Sequence, residues 1–220
     1  KEYMGKIGVP LIRVFNPRKA VSALASEFYG NPSRDLNVIG ITGTNGKTTT
    51  AALISSVLKQ AGHKIAQIGT LGLISDDIDH FDTLTTPDAI TLHRTFSKLL
   101  ASDITHVIME VSSHALDQYR VADVNFNVAV FTNLTPEHLD YHATLESYFQ
   151  AKAKLFRMLP MESTAVVNGS DPSGTRILAE TGAPHLIFSN ENGTSIHFSK
   201  YEMDLYGIRG TVSAGQLIYN

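Results

Sequence analysis

Short runs of apolar residues, many of them β-branched, recur along the chain, and each ends in a polar or glycine-rich turn. Runs of roughly four to eight such residues are typical of buried strands. The pattern predicts strands at residues 38–42, 64–70, 106–112, 128–133, 164–168 and 185–189.

Between these runs lie segments with the three- and four-residue apolar spacing of amphipathic helices. Residues 49–62, 88–101 and 145–158 have this spacing. In the first of them the apolar positions are Ala52, Leu53, Val57 and Leu58. Strands that alternate with helices predict an α/β fold with a mostly parallel sheet, flanked by helices on both faces.

The two ends of the chain depart from this alternation. Residues 13–33 combine one amphipathic helix with a Gly-Asn-Pro turn, and we expect residues 1–36 to be the tail of a preceding domain. From Ser195 onward, shorter alternating runs with several glycines predict a small antiparallel β region. Ligands of parallel sheets bind beyond the carboxyl ends of the strands, so the polar residues after each apolar run are candidates for chemistry.

The composition is that of an ordinary globular protein and excludes several classes. Hydrophobic residues make up 43% of the 220 residues, and the formal net charge of −3 does not indicate a nucleic-acid partner. There is no cysteine, which excludes disulfides and thiolate chemistry. No apolar run reaches the roughly 20 residues of a membrane span, and the first residues lack the order of a signal peptide. We expect a cytoplasmic protein, and the start at Lys1 suggests a piece of a longer one.

The segment GITGTNGKTTT, residues 40–50, lies between a predicted strand and a predicted helix, as a phosphate-binding loop requires. Its glycines let backbone N–H groups turn towards phosphate oxygens, and the helix N-terminus adds partial positive charge. Lys47 would reach the β- and γ-phosphates, and the Thr48 hydroxyl would bind Mg²⁺. The general pattern GxxxxGK[ST] has glycine where this chain has Ile41, so the loop is a variant. The alternative is a plain glycine-rich turn, but a lysine followed by three threonines has little packing purpose.

Three further polar residues are candidates, each with an alternative. Glu110 ends an apolar run, where a buried carboxylate needs a cation such as Mg²⁺; a structural ion pair or a helix N-terminus would also satisfy it. His138 is either a ligand of metal or phosphate or a surface histidine. Lys152 shares a helix face with Tyr148 and Phe156. Without further information, the expected role of such a lysine is structural: its aliphatic part packs on the aromatic rings and its ammonium group reaches water.

The phosphate loop and four further segments, in this order and spacing, resemble the Mur ligases. GTNGKTT is the form of loop that this superfamily uses, and the superfamily includes folylpolyglutamate synthases. Residues 82–90 (DTLTTPDAI), 110–120 (EVSSHALDQYR), 133–142 (NLTPEHLDYH) and 148–156 (YFQAKAKLF) resemble the UDP-N-acetylmuramyl-tripeptide synthetases, which add the third amino acid of the cell-wall precursor. The resemblance extends from about Phe15 to Asp171.

This resemblance implies roles for individual residues. The family's ATP loop corresponds to Gly43, Thr44, Asn45, Gly46, Lys47, Thr48 and Thr49. Positions that hold the muramyl dipeptide correspond to Thr85, Thr86, Ser112, Gln118 and Arg120. The implied metal ligands are Thr48, Glu110, His138 and Lys152, and the implied catalytic residues are Lys47, His138 and Lys152.

Two of the implied roles are specific to particular side chains. In the family, the lysine at the position of Lys152 is carbamylated by CO₂ to N6-carboxylysine, which is an anionic Mg²⁺ ligand; Lys154 is the weaker candidate. Asn168, with Asp171, falls where the family often has an Asn/Asp turn near the nucleotide.

The implied reaction is ATP-driven amide bond formation through an acyl phosphate, with Mg²⁺. It adds meso-diaminopimelate or L-lysine to UDP-N-acetylmuramyl-L-alanyl-D-glutamate. Residues 1–36 would end the UDP-binding domain, residues 37–220 would form a truncated central ATP-binding domain, and a C-terminal ligase domain would be absent. We expect a monomer with no nucleic-acid or membrane partner, and a fragment that is inactive alone. The alternatives are another ligase of the superfamily, such as a folylpolyglutamate synthase, and a non-catalytic nucleotide-binding module.

Overall fold

The structure, a computed structural model, describes residues 11–79, 84–190, 194–205, 207–215 and 217–219. Its centre is a ten-stranded sheet. The strands are β1 (Asn37–Thr42), β2 (Ile65–Gly69), β3 (Gly72–Ser75), β4 (His106–Glu110), β5 (Val128–Phe131), β6 (Thr164–Asn168), β7 (His185–Ser189), β8 (Ile196–Asp204), β9 (Gly207–Ala214) and β10 (Leu217–Tyr219).

The order across the sheet is β10-β9-β8-β7-β6-β5-β1-β4-β2-β3. Every neighbouring pair from β8 to β2 is parallel. The pairs β2–β3, β8–β9 and β9–β10 are antiparallel. The predicted parallel sheet and the predicted antiparallel region after Ser195 are therefore confirmed.

Seven α-helices occur in the described part of the chain, most of them begun by a capping side chain. They are α1 (Pro17–Phe28), α2 (Lys47–Gln60), α3 (Ala89–Ala101), α4 (Ser113–Asp117), α5 (Leu139–His142), α6 (Leu145–Arg157) and α7 (Pro172–Leu178), with a short 3-10 helix at Pro32–Arg34. An oxygen of Asn16, Asp88, Ser112, Thr144 or Asp171 accepts a backbone N–H bond at the start of its helix. Such caps satisfy N–H groups that the first turn leaves without a partner.

Apolar side chains are buried on both faces of the sheet. Along β4, Val107 and Met109 belong to one buried cluster and Ile108 to a second, as the alternation of a strand requires. The first cluster includes Phe96 of α3, and the second includes Ala51 of α2. Helices therefore cover both faces, as predicted.

The elements differ from the sequence prediction in a few places. The predicted strands 106–112 and 128–133 end earlier, at Glu110 and Phe131, because the chain turns there into loops. The predicted apolar pattern of α2 is partly wrong as a guide to its buried face: Leu53 and Val57 are 64% and 66% exposed.

The buried stripe of α2 is polar at one position, which explains this error. Ala51 and Ser55 are buried, and Ile54 and Leu58 pack against the second cluster. These positions have the spacing of one helix face. Ser55 is tolerated there because its hydroxyl donates to Oε1 of Gln67 on β2 at 3.2 Å.

Candidate functional site

Three neighbouring strands, β1, β4 and β5, end at the same edge of the sheet and bring the candidate residues together. The phosphate loop follows β1, Glu110 is the last residue of β4, and Thr132 and Asn133 follow β5. Because β1 is paired in parallel with both neighbours, their carboxyl ends lie side by side. This edge is where ligands of parallel sheets bind.

The phosphate loop depends on two glycines with positive φ. Gly43 has φ of 152°, and a Cβ there would lie 1.9 Å from Thr132 Oγ1. Gly46 has φ of 84° and precedes the first residue of α2. Thr50 N–H donates to Gly46 O at 2.9 Å, and the N–H groups before it have no acceptor within the helix, as at any helix start. Together with the partial charge of the helix N-terminus, these groups suit a phosphate.

Residues after β5 hold the loop in shape. Thr44 N donates to Asn133 O and Asn45 N donates to Asn133 Oδ1, both at 2.9 Å. Thr132 Oγ1 donates to Asn45 O at 2.7 Å. Asn45, Gly46 and Thr49 are exposed, so the outer side of the loop is open to a ligand.

Asn168 binds Thr132, the residue whose hydroxyl holds the phosphate loop. Its Nδ2 donates to Thr132 O at 2.8 Å, and its Oδ1 accepts from Ser170 N at 2.9 Å. Asp171 accepts from Leu134 N at 2.8 Å and also caps α7. Both side chains are therefore engaged with the protein, and a direct contact of Asn168 with a nucleotide stays a prediction.

Two lysine side-chain nitrogens converge on one carbonyl oxygen. Lys47 Nζ donates to Gly43 O at 2.8 Å and to Thr44 O at 2.7 Å, and Lys152 Nζ donates to Gly43 O at 2.8 Å. Burial lowers the pKa of Lys47, while Glu110 and Glu137 oppose that shift. The arrangement concentrates positive charge at the loop, where an anion would be attracted.

Lys152 is buried, which contradicts the snorkelling alternative. Its side chain is 1% exposed, and Nζ lies 4.3 Å from the centroid of the Tyr148 ring. Burial, and then the neighbouring Lys47 cation, lower the pKa of Lys152 to about 7. Lys154 differs, because its Nζ lies 2.8 Å from Asp117 Oδ1 at the surface. Of the two lysines, only Lys152 reaches the loop.

Glu110 is buried, 1% exposed, and bonded to neutral donors. Its Oε2 accepts from Thr48 Oγ1 at 3.0 Å and from Thr70 Oγ1 at 3.2 Å, and its Oε1 accepts from Thr70 N at 3.0 Å. Gly69 leaves the room, since a Cβ there would lie 2.2 Å from Oε1. The structure thus brings together two of the predicted metal ligands, Thr48 and Glu110.

His138 lies at the edge of the site, at the start of α5, with a left-handed φ of 55°. Its ring centroid is 4.9 Å from that of His114 and 6.2 Å from that of Tyr148, the ring that Lys152 contacts from α6. Its side chain is 46% exposed, and its metal role stays a prediction. No group of three His, Cys, Asp or Glu side chains that could hold a metal occurs among the described residues. Mg²⁺ would therefore need other oxygen ligands here, such as phosphates or a carbamate.

The residues predicted to hold the acceptor substrate lie next to this cluster and contact one another. Thr86 Oγ1 accepts from Ser112 N at 3.0 Å. Arg120 Nη1 donates to Thr86 O at 2.8 Å, and Arg120 Nε and Nη2 donate to Gln118 Oε1 at 3.0 and 2.7 Å. Thr85 precedes Thr86 on the same loop, and residues 82–83 of the matching segment lie outside the described residues.

Three residues complete the site beyond those predicted from the sequence. Thr70 donates twice to Glu110, and its hydroxyl lies 3.3 Å from that of Thr85. Asn133 holds the phosphate loop, and His114 packs on His138. Thr70 and Asn133 carry a signal that could reveal them, because each is the polar last residue of a strand predicted from the sequence.

A parallel sheet with a Gly-Lys-Thr loop between β1 and α2 defines the class of P-loop nucleotide-binding folds. A sequence model of the Mur ligase middle domain matches residues 41–218. The chain belongs to this family.

The chain also resembles individual members of the family. It is 41% identical over 211 residues to the UDP-N-acetylmuramoyl-L-alanyl-D-glutamate–2,6-diaminopimelate ligase of Geobacter metallireducens, covering 93% of this chain and 41% of that protein. It is 45% identical over 188 residues to the ligase of the same name from Aquifex aeolicus, covering 86% and 39%. The chain thus spans about two fifths of the length of the curated relatives it matches.

Two solved structures share the fold of this chain. A structure of a UDP-N-acetylmuramoyl-L-alanyl-D-glutamate–2,6-diaminopimelate ligase matches with a TM-score of 0.78 and 27% identity, covering 91% of this chain and 43% of that one. A Mycobacterium tuberculosis folylpolyglutamate synthase complexed with ADP matches with a TM-score of 0.74 and 16% identity, covering 94% and 53%. The latter likeness shows the fold alone.

Proposed function

We propose that the protein containing this chain is an ATP-dependent ligase that adds 2,6-diaminopimelate to UDP-N-acetylmuramyl-L-alanyl-D-glutamate, in peptidoglycan synthesis. The observation that carries the proposal is the meeting of Lys47 and Lys152 at Gly43 O beside the phosphate loop. The names of the two relatives favour diaminopimelate over L-lysine as the added amino acid.

The loop residues Gly43 to Thr49 fit the phosphates of ATP. The N–H groups of the first helical turn, the partial charge of the helix N-terminus and the Lys47 ammonium all favour anionic oxygens. Bound phosphate oxygens would draw Lys47 away from Gly43 O and Thr44 O, the two carbonyls that it contacts in this structure. A neutral turn with no ligand would have no need of a half-buried ammonium.

The chemistry of Lys152 fits a carbamate. With a pKa of about 7, a large fraction of its amine is neutral near pH 7. The neutral nitrogen can bond to the carbon of CO₂ and release one proton, which leaves a carboxylate-like anion. The residues that would hold Mg²⁺ are Thr48 and Glu110 at one position, and carbamylated Lys152 with His138 at another. Bound Mg²⁺ would offset the negative charge of the phosphates.

The reaction must bring two anions together, the acceptor carboxylate and the γ-phosphate. A carboxylate oxygen bonds to the γ-phosphorus and ADP leaves; the amine of diaminopimelate then bonds to the carbonyl carbon and phosphate leaves. Lys47 lowers the repulsion in the first step. Arg120, Gln118 and Thr86 would hold the acceptor in line, which is an effect of orientation.

Among the described residues, no helix is long and apolar enough to cross a membrane. A cytoplasmic monomer with no nucleic-acid partner, and a domain boundary after residue 36, remain predictions. Helix α1 packs on the body of the sheet domain, since Ser22 Oγ accepts from Asp123 N at 3.3 Å and Ser26 Oγ donates to Asp123 O at 3.4 Å.

Phosphate release by the full-length protein tests the proposal. We expect release only when ATP, Mg²⁺, UDP-N-acetylmuramyl-L-alanyl-D-glutamate and diaminopimelate are all present. At saturating muramyl dipeptide, Lys152→Ala should abolish release, while the matched variant Lys154→Ala, two residues along α6, should retain most of it.

Several results would contradict the proposal. Release that does not need the muramyl peptide, or a Lys152→Ala variant with wild-type rate, would overturn it. Stabilisation by folate rather than by the muramyl peptide, measured as a shift in unfolding temperature, would assign the protein to another branch of the superfamily.

A further inference from the structure

A chain of hydrogen bonds runs from α6 to Arg120 through two side chains without a role in the proposed reaction. Lys154 Nζ donates to Asp117 Oδ1 at 2.8 Å, and Tyr141 OH donates to Asp117 Oδ2 at 3.1 Å. Gln118 Nε2 in turn donates to Tyr141 OH at 3.3 Å. Gln118 Oε1 accepts two bonds from Arg120. This series of hydrogen bonds thus connects α4, α5 and α6 to Arg120, on the acceptor side of the site.

The direction of these bonds fixes which way the Gln118 amide faces. A carboxylate can only accept, so the Tyr141 hydroxyl must give its proton to Asp117 and offer a lone pair to Gln118. The NH₂ group of Gln118 then faces Tyr141, and its oxygen faces the Arg120 guanidinium. The opposite orientation would set NH₂ against guanidinium, two donors without an acceptor between them.

We propose that Tyr141 and Asp117 are positioning residues for acceptor binding. They hold the Gln118 amide in the orientation that fixes Arg120, whose Nη1 is already held by Thr86 O at 2.8 Å. The inference rests on the proposed function, in which Gln118 and Arg120 bind the muramyl dipeptide. Arg120 then meets the acceptor in one preset geometry instead of losing rotamer freedom when it binds.

The surroundings of Tyr141 make its hydroxyl separable from its ring. The ring centroid lies 4.2 Å from that of His114 and 4.8 Å from that of His142. Tyr141→Phe keeps these ring contacts and removes only the hydroxyl. Tyr201, which is 55% exposed on β8, offers a matched Tyr→Phe control that takes no part in these hydrogen bonds.

Steady-state kinetics of the full-length protein test the proposal. For Tyr141→Phe we expect the KM for the UDP-muramyl dipeptide to rise on the order of 3- to 10-fold, the effect of one lost net hydrogen bond. The kcat and the KM for ATP should stay within about twofold of the wild type. The lost interaction strengthens acceptor binding equally in the ground state and the transition state, so its loss changes only the KM for the acceptor. Tyr201→Phe should leave all three constants unchanged, and unfolding temperatures should establish that each variant is folded.

A double-mutant cycle separates positioning from a general structural role. Gln118→Ala should raise the same KM, and adding Tyr141→Phe to it should cause no further rise, because Tyr141 acts through Gln118. Additive effects, or a wild-type KM in Tyr141→Phe, would overturn the inference alone. A wild-type protein without muramyl-dipeptide-dependent turnover would instead overturn the proposed function.

Discussion

At the scale of single residues, the burial of Lys152 links folding stability to pH. Its folded pKa of about 7 lies below the ordinary value of 10.5, so between these values the unfolded chain binds more protons than the folded one. Stability should therefore rise as pH increases from 7 towards 10.5, by at most about 1.4 kcal/mol per pH unit. Well below pH 7, Lys152 is protonated in both states and contributes no change of stability with pH.

Urea unfolding in CO₂-free buffer, near pH 7 and near pH 9, measures this effect. Lys152→Met is the control, since it retains the aliphatic stem without a titrating group. We expect the rise in unfolding free energy to be smaller in this variant than in the wild type. An equal rise in unfolding free energy between pH 7 and pH 9 in the two proteins would show that Lys152 is not its source.

Ala143 stores backbone strain next to the site. It follows α5 with φ of 61° and ψ of −37°, a conformation that residues other than glycine rarely adopt. Such strain costs on the order of 1–3 kcal/mol. Ala143→Gly should therefore raise the unfolding free energy by about 1 kcal/mol. The same change at exposed Ala52, inside α2, should lower it by about 1 kcal/mol; a loss of stability at both positions would contradict the strain argument.

At the scale of elements, the turn between β1 and α2 should be sensitive to added atoms. In Gly43→Ala, the new Cβ would lie 1.9 Å from Thr132 Oγ1, the hydroxyl that holds Asn45 O. We expect ATP affinity, measured by calorimetry, to fall more than about 10-fold, as the loop loses its preorganised shape. Gly62 also has a positive φ, of 84°, but a Cβ there would meet no atom within 4 Å, so Gly62→Ala should reduce stability without reducing affinity. Equal ATP affinities in the wild type and Gly43→Ala would contradict the close approach seen here.

The elements that could be predicted from sequence are those with a long or repeated signal. Apolar runs predict β1, β2 and β4 to β7, and the 3.6-residue spacing predicts α3 and α6. Helices α4 and α5 have five and four residues, which is too short for any periodicity to appear. For α7 the signal exists, because Asp171 caps it and Pro172 fills its first turn.

Within the site, chemistry predicted the phosphate loop but not the state of the lysine. Gly43, Gly46 and Lys47 lie close together in the sequence, and phosphate binding gives a physical reason for each of them. The burial of Lys152 depends on α6 lying against β1 and the loop, which no local pattern reveals; only the resemblance to a family indicated its role. The bonds among Asp117, Gln118 and Tyr141 depend likewise on the packing of three short segments.

At the scale of the whole molecule, the site exists because of strand order. The sheet places β1 between β4 and β5, although β4 and β5 come later in the chain. Thr48, Glu110 and Asn133, which are far apart in sequence, therefore meet at one edge. Alternating apolar runs predict a parallel sheet, but they do not specify this order.

In the proposed enzyme, a buried lysine beside the phosphate loop becomes an anion by reaction with CO₂. Carbon NMR of the protein in ¹³C-labelled bicarbonate, with Mg²⁺ and ATP, would detect this carbamate. We expect a carbamate signal in the wild type and in Lys154→Met, and none in Lys152→Met. A wild-type protein without that signal, or a signal that persists in Lys152→Met, would contradict this expectation.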